Sequence, residues 1–137
     1  MRIFIGNRAH PGTVGLHIQA RPQAWMAALG SVPVLKPQGE MIGMMAKLVA
    51  ARRAGEAMDR RLFLDYRAAY GQHMRAVWEA RLLAPGKLVD AAGAPVPGEV
   101  TLLCTCSREE AAAGRCHRRW SAFWLEKAGW SEIYCDW

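Results

Sequence analysis

Val100-Thr101-Leu102-Leu103-Cys104-Thr105-Cys106, followed after a short polar stretch by Cys116-His117-Arg118-Arg119, is the segment on which the fold turns. Val100, Leu102, Leu103 and Cys104 form a nearly continuous apolar run. Such a run reads as a buried β-strand over 99–104, of the kind found in a sheet covered on both faces. Cys116 opens a helix expected over 116–128, closed by Gly129. A strand that ends in thiols and leads into a helix that begins with a thiol and an imidazole is the grammar of an α/β layer.

The rest of the chain fits that grammar. Residues 2–5 read as a short strand closed by Gly6-Asn7. The stretch 8–15 contains His10-Pro11-Gly12 and reads as a turn. Pro22 suits the first turn of a helix over 22–29, ended by Gly30. Val32–Leu35 reads as an edge strand or as no strand, because Pro33 cannot donate to a ladder. Met41, Met44, Met45, Leu48 and Val49 recur at helical spacing over 41–53 and read as core. A longer helix is expected over 62–83, with Phe63, Tyr66, Tyr70, Met74 and Val77 along one face. The segment 84–98, with Pro85, Pro95 and Pro97 among glycines, reads as a loop and a candidate lid. A helical turn is expected within 107–115, and a last strand over 133–135. The expected architecture is one α/β domain over 1–137, a small, mainly parallel sheet flanked by helices.

Composition narrows the possibilities. The 137 residues are 52% hydrophobic and 22% charged, which suits a globular chain and argues against disorder. No apolar run reaches the ~18 residues of a bilayer span. The run after Met1-Arg2 is too short for a secretion signal, so a cytoplasmic protein with no membrane partner is expected. The four cysteines are then expected as reduced thiols. A net charge of +6 permits phosphate or nucleic-acid binding. The six tryptophans would anchor a core or interface and can also stack on bases.

The cysteine segment supports three chemistries. Cys104, Cys106, Cys116 and His117 form a candidate metal set of the type that holds zinc. Cys104 and Cys116, with His117 as acid or base, form a candidate catalytic set, since a helix N-terminus favours a thiolate. Arg115, Arg118 and Arg119 at the same helix start form a candidate anion site for a phosphorylated small molecule or nucleic acid. Asn7, Arg8 and His10, in the loop after the first strand, are expected to join that ligand site. The alternatives are a non-enzymatic module binding nucleic acid or protein, and a zinc-stabilised structural domain. Cys135, with no partner spacing, reads as structural, as does His73.

Three pieces of the chain resemble the bacterial family known as domain of unknown function 488. They are Ile3-Phe4-Ile5-Gly6, then Phe63-x-x-Tyr66-x-x-x-Tyr70-x-x-x-Met74, and then Val100-Thr101-Leu102-Leu103-Cys104 with Cys116-His117-Arg118. The chain departs from the family's pattern at Val34-Leu35-Lys36, where the family carries an Asp-x-Arg pair, and at Cys106, where it often carries an acid. The resemblance implies a compact α/β fold with a site around the Cys-His-Arg element. It implies no reaction.

Overall fold

A computed structural model describes residues 2–137. Four strands form one sheet: β1 Arg2–Gly6, β2 Val14–His17, β3 Glu99–Leu103 and β4 Glu132–Cys135, in the order β2-β3-β1-β4. Every pairing is parallel, with Ile3 opposite Val100 and Ile133, and Leu16 opposite Leu102. All four carboxyl ends therefore open on one edge. That edge carries Asn7, Gln19, Cys104 and Asp136.

Period-two alternation sends Ile3, Ile5, Leu16, Val100 and Leu102 to one face. There they join Tyr66, Tyr70, Met74 and Val77 of one helix and Leu125 of another in a single buried cluster. Each such aliphatic side chain contributes roughly 1.5–3 kcal/mol by burial. The opposite face has a different cover. A Cβ on Gly15 would lie 2.9 Å from Leu103 Cδ1, 3.6 Å from Leu29 and 3.7 Å from Ala9. The loop after β1 and the segment around Leu29 thus lie close over this face. The continuous apolar run of β3 reflects two different covers, helices on one side and a loop on the other.

The helices are α1 Ala24–Ala27, α2 Glu40–Arg53, α3 Arg60–Glu79, α4 Arg108–Ala112 and α5 His117–Lys127. Asp59 caps α3 by accepting from the Leu62 amide at 3.0 Å. The helix stops earlier than its periodicity predicts. Arg81 takes a left-handed φ of 62°, and the amides of Arg81 and Leu82 close onto the carbonyls of Trp78 and Val77.

Other expectations change. Residues 14–15, read as the end of a turn, instead begin β2, and no strand was expected over 14–17; Gly15 and His17 between the apolar residues hid the alternation. Residues 32–35, read as an edge strand or no strand, take the second course: Pro33–Leu35 form a 3-10 turn, because Pro33 fits a helical first turn and lacks the donor a strand needs. The helix expected over 22–29 shrinks to the single turn of α1, with Gln23 at its N-cap. Val89 and Pro95 make a bridge within the long loop. Among the described residues no helix is long and apolar enough to cross a membrane.

Candidate thiol site at the carboxyl edge of the sheet

Cys104 follows directly on β3, and its amide bonds to the Gly6 carbonyl at 3.0 Å. Cys116 is the N-cap of α5; its sulfur accepts from the Arg118 amide at 3.5 Å. The loop between them folds through α4, capped by Ser107, which accepts from Glu110 at 3.1 Å. That turn brings Cys106 back to Cys116, and the two form a disulfide. The expectation of four reduced thiols is corrected here: the folded loop sets these two sulfurs side by side, and only Cys104 and Cys135 remain free. In this oxidised state neither Cys116 nor Cys106 offers a thiolate, as catalyst or as metal ligand.

Cys104 Sγ lies 3.4 Å from Cys106 Sγ and 3.5 Å from Cys116 Sγ. The two distances are nearly equal, so Cys104 stands broadside to the disulfide. Thiol–disulfide exchange requires an in-line approach, with one sulfur near and the other far. Cys104 is therefore not arranged to attack this bond. Burial pushes its thiol up, only partly offset by the amides of Cys106 and Thr105 and by the Arg118 charge. Its S–H points to Gln19 Oε1 at 3.5 Å.

His117 is buried, and its Nε2 lies 2.7 Å from the Ile18 carbonyl oxygen. A carbonyl only accepts, so Nε2 carries the proton and Nδ1 keeps its lone pair. Burial, with the Arg118 charge adding, lowers its pKa to about 4, so the ring is neutral at pH 7. The ligand atoms of Cys104, Cys116 and His117 all lie within 4.8 Å of one another, a group that could hold a metal ion once Cys116 is reduced.

The sequence expected one composite site; the structure divides it between two cavities with no lining residue in common. The first, about 360 Å³, holds the sulfurs and His117. Its inner end also carries Gln19 and Tyr66, its wall is built by Met45, Leu48 and Phe63, and Arg52, Arg53, Arg115 and Glu110 line it as well. Asn7, Arg8 and His10 line the second, about 380 Å³, with Phe4, Tyr134 and Asp136. There His10 stacks on Phe4 with ring centroids 3.9 Å apart.

The three arginines of the expected anion site do not converge. Arg115 pairs with Glu110 through two contacts of 3.1 and 3.2 Å. Arg119 donates to the Ala112 carbonyl at 2.7 Å, at the end of α4. Arg118 is fully buried; it donates to the Ser107 carbonyl at 3.1 Å and sits 5.3 Å from the Trp137 ring. Its Nη2 also approaches Asp136 Oδ1 at 3.3 Å without hydrogen-bond alignment.

Sequence reasoning missed Gln19, Tyr66 and Asp136 as site residues. Tyr66 lay on the apolar stripe of α3, and nothing in the order of residues distinguished its hydroxyl from the core. Comparison with protein-family models, with curated proteins and with solved structures found no match to this chain. The likeness to domain of unknown function 488 rests on the quoted residues.

Proposed function

We propose that the chain is a thiol–disulfide exchange protein working through Cys106 and Cys116. The observation that carries this reading is a disulfide that lines an open cavity, with one of its sulfurs at the N-terminus of an eleven-residue helix. An incoming thiolate attacks Cys106, the half-buried member; Cys116 is only 5% exposed. A bond forms between the incoming sulfur and Cys106, and the bond from Cys106 to Cys116 breaks. Cys116 leaves as a thiolate, stabilised by the α5 dipole and the Arg118 amide. A second thiolate then attacks the incoming sulfur and releases Cys106. Two substrate thiols are oxidised to one disulfide, and the protein disulfide is reduced to two thiols.

The buried arginine and the engaged guanidiniums support a phosphate or nucleic-acid backbone ligand at the start of α5 less well than this reading. The likeness to domain of unknown function 488 is compatible with it and adds no chemistry.

The test is reduction of the native protein by dithiothreitol, followed by alkylation and mass analysis. Complete reduction of one disulfide while the fold persists is expected. In Cys116→Ser, the Cys106 thiolate should attack added oxidised glutathione, releasing one glutathione thiolate and leaving a stable mixed disulfide at Cys106. Reduction that occurs only as the protein unfolds would make the bond a structural staple and overturn the proposal.

A second reading has its own support. In the reduced protein, Cys104, Cys116 and His117 form a donor set suited to zinc, two thiolates and one imidazole. Such an ion would hold the loop 104–116 closed. Disulfide and metal exclude one another at Cys116.

A further inference from the structure

The cavity beside the disulfide has features that exchange with a generic thiol does not need. Tyr66 Oη is fully buried and has no hydrogen-bond partner, and Tyr66 lines the cavity. A buried hydroxyl without a partner is destabilising, and a ligand acceptor would recover that loss. The lining also carries three guanidiniums and the carboxylates of Glu56 and Glu110. Glu110 is shared by Arg115 and by Arg52, the latter at 3.5 Å. Arg53 has no ion pair among the described residues. The lining is thus one positive charge in excess, with a free guanidinium. The same cavity is lined by the apolar side chains of Met45, Leu48 and Phe63.

We infer that this cavity binds a low-molecular-weight thiol that carries an acidic group. Its sulfur would reach Cys106, an amide or hydroxyl oxygen would accept from Tyr66, and its carboxylate or phosphate would meet Arg53. The inference rests on the exchange reading and names its substrate class. The second cavity has the same one-charge excess, Arg8 and Arg108 against Asp136, but does not compete because no disulfide lines it.

The experiment measures the rate of reduction of the native disulfide by four thiols, each corrected for its thiolate fraction. Glutathione supplies a carboxylate acid, coenzyme A a phosphate, 2-mercaptoethanol no charge and cysteamine a positive charge. Saturation with at least one acidic thiol is expected, while the neutral and cationic thiols give linear dependences. The acidic thiol should be about tenfold faster than the cationic one at low salt. Which of the two acidic thiols saturates identifies the acid. Arg53→Gln should bring the acidic-to-neutral rate ratio toward one, and Tyr66→Phe should weaken saturation severalfold. Rapid but linear reduction by all four thiols, with no charge preference, would overturn the inference and leave the exchange reading intact. Failure of every thiol on the native protein would instead overturn the exchange reading itself.

Discussion

His117 Nε2 donates to the carbonyl oxygen of Ile18 at 2.7 Å, and through this bond the start of α5 is tied to the end of β2. The bond requires a proton on Nε2, which the neutral and the charged ring both carry; burial outweighs the bond's preference for the charged ring and keeps it neutral. The folded-state pKa of about 4 lies below the ordinary 6.5. Between those two values the unfolded chain binds a proton that the folded chain refuses. Stability is therefore full above pH 6.5 and is lost as pH falls toward 4, by about 3 kcal/mol in total. His17, also lowered by burial with help from Lys36, adds a loss of the same sign. Urea melts of the metal-free oxidised protein should show this slope, and His117→Gln should reduce it by about one proton, or about 1.4 kcal/mol per pH unit. Equal slopes in the two proteins would refute the assignment.

Asp136 and Arg118 are unequal partners. Arg118 is fully buried, whereas the Asp136 side chain is 20% exposed and accepts from the Asn7 amide at 3.2 Å. Gly6 makes room for it: a Cβ there would lie 2.9 Å from Asp136 Oδ2. Removing the carboxylate strands a guanidinium that cannot reach water; removing the guanidinium leaves an acid that can. Asp136→Asn should cost about 3 kcal/mol, and Arg118→Met less. Chemical denaturation of both variants decides the order, and a larger loss in Arg118→Met would contradict it.

The two halves of this ion contact show what the sequence could and could not reveal. The strands around Ile3 and Leu102 and the helix around Tyr70 were legible, because buried faces impose periods of two and 3.6 on the residue order. The mainly parallel sheet followed from strands that alternate with helices along the chain and from the nearly continuous apolar run of β3. The site was legible only as a neighbourhood. Cys104, Cys106, Cys116 and His117 do gather at one cavity, since β3 and α5 are joined by a compact loop. Arg118 looked like an anion ligand because a basic residue at a helix start usually faces solvent. Its burial depends on Asp136 and Trp137, which β4 delivers from the other end of the sheet. The Cys106–Cys116 bond was hidden for a similar reason: it depends on how α4 turns the loop, and residue spacing alone does not specify that path.

Arg81 ends α3 in the left-handed region, at φ 62°. A side chain there costs roughly 1–2 kcal/mol that glycine avoids. Arg81 is exposed and forms no ion pair among the described residues. Arg81→Gly should therefore raise the unfolding free energy by about 1 kcal/mol. An unchanged or lower melting temperature would mean that the unfolded chain's gain in freedom outweighs the relieved strain.

The four thiols should separate by reactivity. In the oxidised protein only Cys104 and Cys135 can alkylate. Cys104 is buried and its thiol is pushed up by burial, so it should react only as the protein unfolds. Cys135 is exposed on the edge strand, but partial burial of its sulfur and the neighbouring Asp136 push it up to about 11. It should react slowly at pH 7 and faster as pH rises. After reduction Cys106 should become the fastest site. Mass-resolved alkylation time courses test the sequence, and rapid labelling of Cys104 in the folded oxidised protein would invalidate the buried placement of its sulfur.

Metal uptake should follow the oxidation state. In the oxidised protein Cys116 Sγ is bonded to sulfur, and its share of the donor set is lost. Reduction frees it beside Cys104 and His117, whose Nδ1 lone pair is already available because Nε2–H is committed to Ile18. Zinc added to the reduced protein should bind at one equivalent, release protons from the thiols and raise the melting temperature. The oxidised protein should show neither effect. Cys104→Ser should abolish proton release and tight binding, while Cys135→Ser should leave both unchanged. Equal zinc affinity in oxidised and reduced protein would locate any binding elsewhere, and no binding in either state would leave exchange as the only chemistry of these sulfurs.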